Sequence, residues 1–258
     1  MSITSTKPTE PYLSGAIFAP DVEPPVDVAI FEGFLLRDDV TVWLGREKHR
    51  KTNLVLQFVI CAALGRPFLN FRFAAPDPLK VVYVDYESKT RSLWERYQAI
   101  CRAMGLTGED MQRLKENLHI IEVRKIQKKG REFPRFPLKT PTAKQLAFWQ
   151  GFSRLNPADL YIFDPMRCFH ASDENDSNIE QLLTRLRQFF PNSAVIIPHH
   201  MRKQDFSGKA PKLLKDMRGW SDGGRGSVAI KAHSDVIVCQ ERKMVKDEEV
   251  VYLGAFMK

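Results

Sequence analysis

Eight consecutive residues, Gly45-Arg-Glu-Lys-His-Arg-Lys51-Thr52, stand between an apolar run, VTVWL, and a stretch of helical pattern. Glycine, lysine and a hydroxyl residue at these places fit a phosphate-binding loop, G-x-x-x-x-G-K-[ST], in its strand–loop–helix setting. In such a loop, backbone N–H groups at a helix N-terminus form an anion hole, the lysine reaches the β- and γ-phosphates, and the hydroxyl holds Mg²⁺. Gly45, Lys51 and Thr52 occupy the required positions, and Lys48 is a further candidate phosphate ligand. Arg50 stands where the second glycine belongs. The backbone there approaches the phosphates and takes φ > 0, so an arginine predicts crowding, although its charge suits phosphate. Glu47 adds an opposing charge. The competing reading of the octapeptide alone is an ordinary strand–helix turn with a basic helix start.

Three more polar groups end apolar runs. Glu87 closes VVYVDYE, where it could position or polarise the water that attacks a γ-phosphate; the alternative is a solvated loop acid. Asp164 ends LYIFD and fits an aspartate that holds Mg²⁺ directly or through water, against a helix-capping role. His199 and His200 end VIIPHH. A histidine pair suggests metal, but no spaced cysteine or histidine completes a ligand set, and a γ-phosphate sensor is the better functional reading for one of the two. Last, Gly223-Gly-Arg225-Gly-Ser227 offers a mobile arginine able to reach a phosphate from a neighbouring subunit.

These residues need a scaffold, and the hydrophobic pattern supplies one. Strands are predicted at Val40–Leu44, Lys80–Val84, Leu118–Val123, Leu160–Phe163 and Ala194–Pro198. Helices are predicted at Lys51–Leu64, Lys89–Met104, Thr142–Arg154 and Asn178–Phe190. Continuously apolar strands alternating with helices imply a parallel sheet covered on both faces. Asp235–Gln240 and Glu249–Phe256 read as an antiparallel hairpin around Lys243–Glu248 that extends one sheet edge. The fold class expected is α/β: a mostly parallel, helix-flanked sheet with a C-terminal antiparallel hairpin. Residues 1–25, rich in proline and small polar residues, read as a flexible arm, and 26–258 as one domain.

Composition agrees with a globular chain: of 258 residues, 43% are hydrophobic and 27% charged. No apolar run is long enough for a membrane span, the N-terminus has no secretory pattern, and Cys61, Cys101, Cys168 and Cys239 are too far apart for a zinc motif, which together suggest a cytoplasmic protein with reduced thiols. The net charge of +8 is concentrated. Residues 124–139 net +6 and residues 202–218 net +4. Such segments suit an anionic partner, nucleic acid being the usual one, or else a solvated surface loop.

Taken in order, these motifs resemble the RepA-like branch of RecA-fold ATPases, the family of hexameric plasmid replicative helicases and related primase-associated ATPases. GREKHRKTNLVLQFVICAALGRPFLNF is similar to the family's G-R-P-K-x-G-K-[ST]-x-x-A-L and following G-x-P-F-L element. YIFDPMRCFHASDENDSN, IPHHMRK and RGSVAI are similar to its D-P-L-x-x-F-H-x-x-x-E-N, H-H-x-x-K and R-G-S elements. The resemblance implies an ATP- and Mg²⁺-dependent ATPase of RecA-like fold. Lys51 and Thr52 would contact phosphate and Mg²⁺, Glu87 would be the catalytic carboxylate, and Asp164 the second Mg²⁺ residue. His199 or His200 would be the sensor, and Arg225 an arginine finger inserted into the next subunit. It further implies a homo-oligomeric ring, possibly a hexamer, no membrane association, and replication or mobile-element proteins as partners. Single-stranded DNA would pass channel loops carrying Arg202, Lys203, Lys209, Lys212 and Lys215. Arg50 and Glu47 depart from the family glycine and proline, and residues 124–139 look like an insertion. Three rivals follow: a pseudo-ATPase retained for DNA binding or scaffolding, a regulatory ATP sensor, and a metal hydrolase built on His199, His200 and Asp164.

Overall fold

The structure, a computed structural model, describes residues 28–138, 141–170, 174, 176–201, 212–224 and 226–257. The expected N-terminal arm therefore lies outside the described residues. In chain order the elements begin with β1 (Ala29–Phe31), β2 (Leu35–Leu36), β3 (Val40–Gly45), α1 (Lys51–Leu64), β4 (Val81–Asp85) and α2 (Thr90–Ala103). They continue with α3 (Gly108–Asn117), β5 (Leu118–Glu122), α4 (Val123–Lys128), α5 (Ala143–Leu155), β6 (Leu160–Asp164) and α6 (Met166–Phe169). The rest are α7 (Asp176–Phe189), β7 (Ala194–His200), α8 (Met217–Ser221), α9 (Ser227–His233), β8 (Val236–Val245) and β9 (Glu248–Met257).

Seven strands pair in the order β5-β4-β6-β7-β3-β8-β9. The first six are parallel and β9 returns antiparallel on β8, so the predicted fold class holds. The inner parallel strands are apolar on both sides, and alternation divides their residues between two cores. Val42, Val84, Phe163, Val195 and Cys239 point into one core with Trp149, Leu182, Leu186 and Ile230 from α5, α7 and α9. Trp43, Tyr83, Ile162, Ile196 and Val238 point into the other, with Phe58 and Val59 of α1, Leu93 of α2 and Leu114 of α3. Burial on both faces leaves the strand ends as the places where polar side chains meet solvent.

The predicted strands and helices fall within a few residues of their observed bounds. The hairpin is longer than its sequence pattern implies: it turns on Lys246 and Asp247, whose φ values of 48° and 64° are both left-handed, as a two-residue hairpin turn requires. Elements beyond the predicted set are short or polar. The small β1–β2 ribbon seats Phe31 and Phe34 against Phe58, Phe71 and Phe73. α3 is set by a capping box in which Thr107 and Asp110 satisfy each other's backbone N–H groups.

The predicted insertion at 124–139 is anchored where it is described. Its first residues form α4, and Phe133, Phe136 and Leu138 are buried. Trp149, fully buried, meets the rings of Phe133, Phe136, Phe163 and Phe169, and its indole N–H donates to the Arg135 carbonyl. The N–H of Phe136 in turn donates to the Phe169 carbonyl at 2.8 Å. Trp149→Ala is expected to cost about 3–5 kcal/mol in urea unfolding, as for a buried large aromatic. It is also expected to remove hydrogen-exchange protection from the Phe136 amide first. A loss under about 1 kcal/mol, with that amide still protected, would refute this role for Trp149.

Candidate functional site

The sheet register brings the singled-out residues to one edge. Gly45 at the end of β3 lies opposite His200 of β7 on one side and Gln240 of β8 on the other, and Asp85 of β4 lies opposite Asp164 of β6. A cavity of about 700 Å³ opens above these strand ends. Lys48, Arg50, Lys51, Thr52, Glu87, Asp164 and His200 all line it.

The loop at its base carries two left-handed residues. Arg50 is the N-cap of α1 and has φ 63° and ψ 23°, the left-handed conformation that glycine adopts freely. Lys48 also has φ 63°. Each costs an L-residue about 1–2 kcal/mol. No side chain caps the N-terminus of α1 and its first turn holds no acid, so its amide end is kept for another partner. Arg50 itself lines the cavity. Its side chain is exposed and its Nε lies 3.2 Å from Oε1 of Glu249 on β9. Glu249 also pairs with Arg242 at 2.9 Å. Further bonds tie the loop to β8: Gln240 Nε2 donates to the His49 carbonyl, Arg242 N to His49 Nδ1 at 3.1 Å, and Arg242 to the Lys48 carbonyl at 3.3 Å.

Lys51 is buried, and all three of its ammonium protons have acceptors: the Gly45 carbonyl at 2.7 Å, the Arg46 carbonyl at 3.2 Å and His200 Nδ1 at 2.9 Å. The fold back over the loop explains Gly45, because a Cβ there would lie 2.9 Å from the lysine stem. Burial lowers the Lys51 pKa to about 8, against the opposing pull of Asp164, Glu87 and Glu47. His200 is lowered to about 4, first by burial and then by the Lys51 charge. It is therefore neutral near pH 7 and accepts the lysine proton at Nδ1.

Of the histidine pair, strand alternation separates the roles that the sequence leaves joined. His200 faces the cavity. His199 is wholly buried, points elsewhere, and places Nδ1 3.5 Å from Glu174 Oε1. The buried Asp164 accepts a 2.6 Å hydrogen bond from the Tyr83 hydroxyl, and the Thr52 side chain lies near it. Burial raises its pKa to about 6, and neighbouring Asp85 raises it further.

Asp85 is the residue that sequence reasoning passed over. It ends β4, is buried, and accepts the N–H groups of Glu87 and Ser88 at 3.0 and 2.6 Å. Its pKa is raised by burial. The signal was the strand's own end, one residue beyond the predicted one, directly opposite Asp164. Glu87 is exposed at the cavity rim. Arg242 and Glu249 were also passed over, since only the hairpin's packing brings them to the loop. Cys61, Cys101 and Cys239 are buried, and Lys212 and Lys215 are exposed ahead of α8. Arg225, Arg202, Lys203 and Lys209 lie outside the described residues.

Among the described residues, no group of three or more His, Cys, Asp or Glu could hold a metal ion by itself. Mg²⁺ is a hard ion commonly bound by one or two protein oxygens plus water and phosphate. The Thr52 hydroxyl and Asp164 carboxylate, which both line the cavity, are oxygens of that kind. No helix among the described residues is long and apolar enough to cross a membrane.

A carboxylate whose folded pKa exceeds its unfolded value favours the folded state at low pH and loses that contribution as pH rises through the folded pKa. Asp164 should thus make the chain less stable as pH rises from about 4 to about 6. Asp164→Asn keeps an oxygen for Tyr83 and Thr52 while removing the charge. It is expected to flatten that part of the stability–pH curve and raise Tm at pH 7. Parallel curves for parent and variant would show that Asp164 does not carry the buried charge.

The comparisons with known proteins agree with this architecture. No curated protein matches the chain in sequence. Among solved structures, the KaiC-like protein PH0186 from Pyrococcus horikoshii OT3 superposes with a TM-score of 0.51 at 12% identity, over 88% of this chain and 82% of that one, a likeness of fold. The family model described as AAA domain matches residues 13–205, well over half of the 258. The chain belongs to that AAA-domain family and has the RecA-like P-loop ATPase fold.

Proposed function

We propose that this chain binds Mg²⁺-ATP in the cavity above β3 and β6 and hydrolyses it, as an ATPase of the RecA-like helicase class. The observation that carries the reading is the preserved loop: Arg50 takes the left-handed backbone of the missing glycine and turns its side chain out to Glu249. An anion hole built on this backbone would keep its shape despite the substitution. Lys51 would exchange its three internal acceptors for the β- and γ-phosphates. Thr52 and Asp164 would hold Mg²⁺, which neutralises phosphate charge when bound. Glu87, at the cavity rim, would orient the attacking water, and His200, tied to Lys51, would report occupancy to β7.

The finer features of the RepA-like resemblance belong to the same proposal. They are a homo-oligomeric ring, an arginine finger at Arg225, and single-stranded DNA held by Arg202, Lys203, Lys209, Lys212 and Lys215. A finger supplied by a neighbour needs a head-to-tail interface, so the reading requires assembly. The second reading is a pseudo-ATPase. One observation favours it: Lys51 is fully satisfied by the loop itself, so phosphate must compete with bonds already made.

Titration with a fluorescent ATP analogue and Mg²⁺ separates them. The ATPase reading expects saturable binding by the parent, a loss of at least about tenfold in Lys51→Ala from removing a charged phosphate contact, and only a few-fold change in Arg50→Gly. No binding by the parent, with recovery in Arg50→Gly, would overturn it in favour of the pseudo-ATPase. Affinity should also fall as pH rises through about 8, where the empty-site Lys51 loses its proton and its attraction for phosphate. A pH-independent affinity between 7 and 9 would remove Lys51 from the contact.

A further inference from the structure

We propose that the cavity wall opposite the loop, formed by Lys89, Arg96 and Arg124, is a second anion subsite that takes one phosphate group beside the nucleotide. The proposal rests on the ATP reading only for the identity of that neighbour; the subsite itself rests on the cavity. At about 700 Å³ the cavity reaches well past the loop, across the strand ends to α2 and α4. The cations on this far wall differ from those beside them in sequence. Arg91 pairs with Glu95 along α2, and Lys125 reaches Glu122 at the start of α4. Lys89, Arg96 and Arg124, which face the cavity, have no ion-pair partner among the described residues.

Two features aim this wall. Arg124 donates from its guanidinium to the Glu87 carbonyl at 2.7 Å, which fixes the arginine over the rim. Arg96 is close enough to Asp85 to act on its ionisation, and the Glu87 and Ser88 amides both donate to the Oδ1 of Asp85. Asp85 and Glu87 are the acids on this side of the cavity, so the three cations still outnumber them. Ser92 adds a hydroxyl donor among them. Guanidinium forks with a lysine and a hydroxyl are donors matched to phosphate oxygens. The loop has its own cations, Lys48 and Lys51, so a triphosphate there leaves this wall's donors unused. The ligand class is therefore a separate phosphate, either the inorganic phosphate freed by hydrolysis or the phosphate monoester of a second molecule.

Calorimetric titration of the full chain with inorganic phosphate, with and without saturating Mg²⁺-ADP, tests this. The parent is expected to bind phosphate saturably with ADP already present. Arg96→Gln and Arg124→Gln should each weaken phosphate binding by about tenfold, the worth of a charge-assisted hydrogen bond, while ADP affinity changes by less than about twofold. Lys51→Ala should lose ADP but keep phosphate. If the parent binds phosphate but no ADP, the ATP reading fails and the subsite stands. A parallel titration with glycerol 3-phosphate identifies the source: tighter binding than inorganic phosphate indicates an organic phosphate, weaker binding the hydrolysis product. Lys89→Gln, at an exposed position, is the substitute if a circular-dichroism check shows either arginine variant misfolded. No saturable binding of either phosphate by the parent overturns the proposal. So does phosphate binding that Lys51→Ala abolishes and Arg96→Gln leaves intact, since that places the phosphate in the loop.

Discussion

The carboxylate of Asp164 is fully buried at the end of β6, and much of the site is arranged around the need to hold it. A lone buried carboxylate is strongly disfavoured, and here the opposition shows as a pKa raised to about 6. Its partners come from two neighbouring elements: the Tyr83 hydroxyl from β4 and the Thr52 hydroxyl from the first turn of α1. Through Thr52 the acid is tied to the helix that presents Lys51, and through Tyr83 to the strand that ends in Asp85. The fold thus sets these two oxygens near one another, with Lys51 the cation that acts on the acid. Such a site is better completed by a divalent cation than by any side chain among its neighbours, which is the physical sense in which it suits Mg²⁺.

How far the sequence discloses this can be judged residue by residue. Continuous apolar runs disclosed the parallel strands, because burial on both faces leaves no polar alternation to misread. The polar residues ending those runs had to fall on one edge for the same reason. Asp164 and the His199–His200 pair were legible on this ground. Asp85 was not, because the predicted strand stopped at Val84 and the eye passed to Glu87. The choice between His199 and His200 was not legible either: it depends on which face of β7 meets α1, a matter of packing. Helix α3 carried its signal openly, in Thr107 and Asp110 three residues apart, but its exposed polar face gave no apolar stripe to find. Arg50 was legible as an anomaly and illegible in its consequence, since its partner Glu249 lies 199 residues away.

That consequence turns on magnitudes. A left-handed arginine costs about 1–2 kcal/mol, and an exposed ion pair returns about 0–1 kcal/mol. Glu249 alone therefore does not offset Arg50. The remaining support comes from the loop's attachment to β8: Gln240 on the His49 carbonyl, and Arg242 on both His49 and the Lys48 carbonyl. Those bonds fix the residues just before Arg50, and α1 fixes those just after it, so the strained conformation is imposed from both sides. The strain is spread over a hairpin that begins at the neighbouring strand, and Arg242 joins it to Glu249 through a second ion pair. A loop with glycine at this position would hold its shape by itself. This one holds it through β8 and β9, which makes the C-terminal hairpin part of the loop's support rather than an appended edge.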